Sequence, residues 1–205
     1  MESQELTAAL NGELGSDPPY RFVAGRLGPG GATAVLKQGD RAVTVLSSTA
    51  HGYLCFFRWK RREQAHGATA EIRSVVGAAR SWIDGADLRG LSTGHPFVEY
   101  SDFQLAYERG DAVDFQWQVV LQQIEEDYGH YRDLVILASA EPVLRKCLPR
   151  LGHRFALFEN EDSESPLFSI FMIRPGWYAS YAPDGESFAF EGTAREVVAT
   201  MTQDL

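Results

Sequence analysis

Twice in this chain, short β-rich runs joined by glycine-bearing turns lead through a Gly/Thr/Ala segment into an amphipathic helix with paired valines. That pattern limits the possible folds more than any other feature. The first helix is the clearer one. Ile72, Val75, Val76, Ala79, Trp82 and Ile83 recur on a 3.6-residue period and make one apolar stripe. Thr69 is placed to cap this helix and Gly85 to end it. Ahead of it, Tyr20–Leu27, Thr33–Gln38, Arg41–Leu46 and Gly52–Trp59 read as strands. Gly28-Pro29-Gly30-Gly31 and Gln38-Gly39-Asp40 supply turns. Connections this short join antiparallel strands, because a parallel pair needs a long crossover.

The chain then stays helical for some distance. Ser101-Asp102-Phe103-Gln104 has the spacing of a capping box, Gly110 stops that helix, and Asp111 can cap the next. The longer stripe runs Val113, Trp117, Val120, Ile124, Tyr128, Tyr131 and Val135, with Gly129 marking a break or kink. Ser139-Ala140-Glu141-Pro142 predicts a fresh helix with Val143, Leu144, Cys147 and Leu148 facing inward. Strands return at Arg154–Phe158, Leu167–Ile173, Trp177–Tyr181 and Ser187–Phe190, with a turn at Pro183-Asp184-Gly185. Thr193 to Glu196 is a second capping box, and Val197, Val198 and Met201 follow on one face.

The expected fold is therefore α+β. Antiparallel sheet segments come from two similar strands-then-helix halves, residues 20–100 and 101–205, with helices packed on one side. Residues 20–205 are expected to form a single domain, and residues 1–19 to be weakly ordered apart from a short helix near Glu5–Leu10. His51 and His153 each precede an aromatic strand. The likeness of the halves fits an ancient duplication and equally the ordinary punctuation of α+β chains.

Charge narrows the function. The formal net charge is −9, which disfavours nucleic acid as a partner. Basic residues cluster only at Arg58, Lys60, Arg61 and Arg62, near His66, where an anionic ligand could sit. The N-terminus lacks a basic and apolar leader, and no 18-residue apolar run is present, so a cytoplasmic protein with no membrane partner is expected. Cys55 and Cys147 lie in apolar segments and read as reduced core thiols.

Motifs for chemistry are weak. No G-x-S-x-G elbow accompanies the serines and His51 of Ser47–Tyr53. The Gly28–Gly31 run matches neither a P-loop nor a dinucleotide fingerprint. Glu126 and Asp127 stand four and three residues before His130, a chelating spacing on a helix, but no second copy exists. The acidic run Glu159–Ser165 lacks the glycine and terminal glutamate of a calcium loop. Cys147 and His153 are conceivable as a nucleophile pair, although Cys147 sits on an apolar stripe. No metal and no cofactor are expected. Trp59, Trp177, Tyr178 and Tyr181, near strand ends, suit either a ligand pocket or a core lid.

The segment Ala138–Gly152, the strand His153–Phe158, the hairpin after it and the closing Thr-Ala-Arg-Glu-Val-Val helix resemble an actinobacterial domain family. That family is known only as "natural product biosynthesis protein". Gly-Ala-Thr-Ala, the Ala-Arg-Ser-Trp-Ile-Asp-Gly helix and Leu88–Phe97 are similar to its middle part. The sequence has Gly152 before His153 where the family tends to carry serine. The resemblance implies a gene-cluster context and no catalytic residues.

The leading expectation is an accessory or tailoring protein of bacterial specialised metabolism. It binds a small-molecule or peptide intermediate, or the enzyme that handles one, near His51, Trp59, His153 and Trp177. The second is an acidic, non-enzymatic protein of the immunity or antitoxin kind that plugs a basic partner. A cryptic hydrolase is third.

Overall fold

The computed structural model describes residues 2–16, 19–25, 31–181 and 188–205. The turns expected at Gly28–Gly31 and Pro183–Gly185 fall largely or wholly outside them. The chain divides into two units, Met1–Glu108 and Arg109–Leu205. Both are α+β, as expected.

In the first unit, helix α1 (Ser3–Leu14) precedes strands β1 (Val23–Ala24), β2 (Thr33–Gln38), β3 (Arg41–Ser48), β4 (Gly52–Trp59) and β5 (Arg62–Thr69). Helices α2 (Ile72–Ile83) and α3 (Leu88–Gly94), strand β6 (Val98–Glu99) and helix α4 (Asp102–Arg109) follow. The six strands pair antiparallel in sequence order, a simple meander. Helix α1 is longer than the one expected near Glu5–Leu10 and corrects the expectation of weak order for Ser3–Leu14. Leu6, Leu10 and Leu14, on one face of α1, are buried in the unit's core. Their i, i+4, i+8 spacing was masked by the surrounding polar residues. The cap of α2 is also shifted. Thr69 remains in β5, and Glu71 is the N-cap residue without a side-chain cap bond.

The α2 stripe forms as predicted and packs with α1 on one face of the sheet, against Leu36, Val43, Val45, Cys55 and Phe57. Trp82 is 1 % exposed, and its indole N–H donates to the Arg58 carbonyl of β4 at 3.1 Å. Arg41 stacks on that ring at 4.3 Å and donates to the carbonyls of Trp82 and Ala86. This tie fastens the end of the helix to the sheet.

The second unit holds α5 (Ala112–Glu126), a 3₁₀ turn (Gly129–Tyr131) and α6 (Arg132–Ala140). Strands β7 (Leu148–Leu151), β8 (Phe155–Phe158), β9 (Phe168–Arg174), β10 (Trp177–Tyr181) and β11 (Phe188–Gly192) then lead to α7 (Ala194–Gln203). This sheet is also a meander, ordered β11-β10-β9-β8-β7. The helix predicted after Pro142 is corrected to a short 3₁₀ turn, Leu144–Lys146, and the strand β7. The four residues Leu148–Leu151 pair with β8, and that tertiary pairing overrides the local helix signal. Trp117 mirrors Trp82. It is fully buried, its indole donates to the Arg145 and Cys147 carbonyls, and Arg145 stacks on it. Helix α7 has the predicted capping box between Thr193 and Glu196.

Candidate ligand-binding face

Strand side chains alternate between faces, so the helix-covered core fills only one side of the first unit's sheet. Register fixes what stands on the other. Val23, Val35, Thr44, Phe56, His66 and Glu99 form one row across all six strands. Leu46, Leu54 and Ala68 make the next row on one side, and Lys37, Ala42, Arg58 and Glu63 the next on the other. None of these positions belongs to the buried core. Val35, Thr44, Leu54 and Phe56 are half-buried, whereas Val43, Val45, Cys55 and Phe57, one residue along, are fully buried.

Two hollows lie on this face. One, of about 280 Å³, is lined by Leu54, Phe56, His66, Ala68 and Phe97, with Glu99 at its rim. The other, of about 680 Å³, is lined by Val35, Lys37, Ala42, Thr44, Arg58, Lys60 and Arg61, with Asp40. Leu54, Phe56 and Arg58 are alternate residues of β4, so the strand carries the surface from the apolar hollow into the basic one. The basic rim is made by two neighbouring turns. The Lys60 N–H donates to the Asp40 carbonyl at 2.7 Å, and Lys60 has φ +56°. A left-handed backbone costs a non-glycine residue about 1–2 kcal/mol. Two-residue hairpin turns such as Lys60-Arg61, between the paired Trp59 and Arg62, call for that conformation.

The four predicted site residues divide between the units. His51 is exposed in the β3–β4 turn, where Ser48 Oγ accepts from the Ala50 and His51 amides. Trp59 ends β4, eight residues on and roughly 26 Å away along an extended strand. Its ring meets Tyr107 edge-on, with the Lys60 ammonium 5.3 Å from its centroid. His51 and Trp59 thus share no pocket. In the second unit, His153 follows β7 and lines a hollow of about 210 Å³ with Arg150, Arg154 and Phe158. Trp177 opens β10 under the Arg174 guanidinium. Neither a ring contact nor a hydrogen bond joins His153 to Trp177 among the described residues.

The groups weighed for catalysis separate in the same way. Cys147 precedes β7 and His153 follows it, so a strand stands between them. Burial pushes the Cys55 thiol up to about 12 and raises Cys147 as well, so both are held as thiols. Helix α5 ends at Glu126 and the backbone tightens at Gly129, which breaks the single helical face assumed for Glu126, Asp127 and His130. The His130 ring instead packs on Tyr131, 4.6 Å between centroids. Among the described residues no three His, Cys, Asp or Glu side chains converge as a metal set. The acidic Glu159–Glu164 segment forms a turn in which Asn160 Oδ1 accepts from the Asp162 amide and the Ser163 hydroxyl.

One pair escaped the sequence reading. Ser81 Oγ and His95 Nε2 are 3.0 Å apart, and burial lowers the His95 pKa. The His95 ring lies across Gly77, where a Cβ would stand 3.2 Å from Cε1. The pair ties the end of α3 to α2. It borders none of the hollows above, so it reads as a packing contact.

Comparison with protein-family models, with curated proteins and with solved structures found no match to this chain. Among the described residues no helix is long and apolar enough to cross a membrane.

Proposed function

We propose that this chain is a non-enzymatic accessory protein of bacterial specialised metabolism, working in the cytoplasm. It holds a small-molecule or peptide intermediate on the helix-free face of its first sheet. The observation that carries this reading is the pair of adjoining hollows along β4, one apolar and one basic, on the face opposite the helix-packed core among the described residues. A concave apolar wall with a few polar groups at one end is the usual form of a small-molecule site. The separation of Cys147 from His153, and the raised thiol pKa values, support binding over nucleophilic catalysis. The resemblance to natural product biosynthesis proteins supplies the metabolic context.

Amide chemical-shift mapping during a screen of small metabolites and short peptides tests the proposal. Perturbations centred on Val35, Thr44, Phe56 and Ala68 are expected for the compounds that bind. Perturbations confined to the second unit would contradict it.

A further inference from the structure

Resting on that reading, we infer that the ligand is an amphiphilic phosphate monoester. Its dianionic head sits on the basic rim and its apolar body lies along β4 over Phe56 and Leu54. Several arginines elsewhere in the chain pair with carboxylates: Arg73 with Glu13, Arg80 with Asp84, Arg109 with Asp111, Arg132 with Glu125 and Arg145 with Asp114. Lys37, Arg58, Lys60 and Arg61, around the larger hollow, form no ion pair among the described residues. All four are exposed. Their one acidic neighbour in the hollow is Asp40. Glu63 stands opposite Arg58 in the cross-strand register, so four cations face two carboxylates in a protein whose net charge is −9. This local excess of positive charge in an acidic chain points to an anion from outside.

Geometry sets the rest. A singly charged head would leave part of that excess unmatched, whereas a phosphate monoester carries close to two charges and three acceptor oxygens at neutral pH. Guanidinium groups such as those of Arg58 and Arg61 suit such oxygens. A free phosphate would leave the adjoining apolar hollow unused. The step from Arg58 to Leu54 spans four residues, roughly 13 Å of strand, which fits one extended apolar chain or ring system. Lys60 holds its left-handed conformation although glycine would fit without strain. A cation is thereby kept at the turn nearest Asp40.

Calorimetric titration with dodecyl phosphate below its micellar concentration tests this. One site per chain is expected, with inorganic phosphate, dodecanol and dodecyltrimethylammonium each at least about tenfold weaker. Arg58→Glu and Phe56→Ser should each weaken binding by about tenfold or more. Lys60→Gly suits the backbone, so a loss of roughly threefold or more in that variant reports the lost cation and not misfolding. Absence of dodecyl phosphate binding overturns the inference, as does equal affinity for the cationic amphiphile or for inorganic phosphate. Capture only by phosphatidic acid vesicles would make the ligand a membrane surface and overturn it too. Equal affinity for dodecanol, mapped to the same face, would overturn the phosphate assignment while leaving the binding function in place.

Discussion

The two units share one architectural recipe and differ in what they do with the face that helices leave uncovered. Each is an antiparallel meander with helices on one side, and each fastens a helix to its sheet through a buried tryptophan under an arginine. In the second unit the uncovered face is furnished with its own partners. Arg150 stacks over Phe158 at 4.1 Å and Arg154 over Phe171, while Phe171, Tyr181 and Phe188 contact one another in series. Ala156, Phe158 and Ala179 are buried there. In the first unit, among the described residues, Lys60 meets the Trp59 ring and Lys37, Arg58 and Arg61 stack on none, while Phe56 and Leu54 stay half-buried. The two faces are therefore furnished differently: aromatic rings and stacked arginines on the second, with Tyr181 and Phe188 exposed, and a cluster of cations beside half-buried apolar residues on the first.

The comparison can be broken at the cores first. Trp82→Ala and Trp117→Ala should each cost about 3–5 kcal/mol. Hydrogen exchange should show the loss in α2 and β2–β5 for the first and in α5 and β7–β9 for the second. Equal loss of protection in both units from either change would show a shared core. A smaller effect is expected at Gly67. A Cβ there would stand 2.4 Å from the Phe97 carbonyl, so Gly67→Ala should destabilise by about 1–3 kcal/mol, read by chemical denaturation, and displace β6 from the wall of the apolar hollow. Smaller again is the cap of α7. Thr193→Ala should cost about 1 kcal/mol in the same assay. Hydrogen bonds from the Thr193 amide and hydroxyl hold the Glu196 carboxyl below its usual range. Its contribution is thus complete above the ordinary glutamate pKa and is lost as pH falls through the lowered value. An acid titration of stability should be shallower in Thr193→Ala.

Most of the fold was legible because period and punctuation agreed. The α2 stripe, β2, β4 and β10, and the Thr193 capping box stand where local pattern places them. The failures share a cause. α1, β5 and β7 are polar or mixed segments whose order comes from packing against distant elements. In β5, Arg62–Thr69 shows no clean alternation, because Gln64 bulges out of register between residues paired with Phe57 and Arg58. The site was legible only in part. The basic run at Arg58–Arg62 was visible as an anionic-ligand rim, but its apolar neighbour needed the cross-strand register that sets Phe56 beside Thr44 and His66. His51, Trp59, His153 and Trp177 stand out in the sequence as strand-end aromatics and histidines, and the length of β4 keeps His51 and Trp59 apart.

The first unit's helix-free face is predicted to take a ligand and the second unit's is not. The most direct measurement is amide chemical-shift mapping with dodecyl phosphate. Shifts at Val35, Thr44, Phe56 and Arg58, with Ala156, Phe171 and Ala179 unmoved, are predicted. Shifts centred on Ala156 and Phe171 with Phe56 unmoved would contradict it.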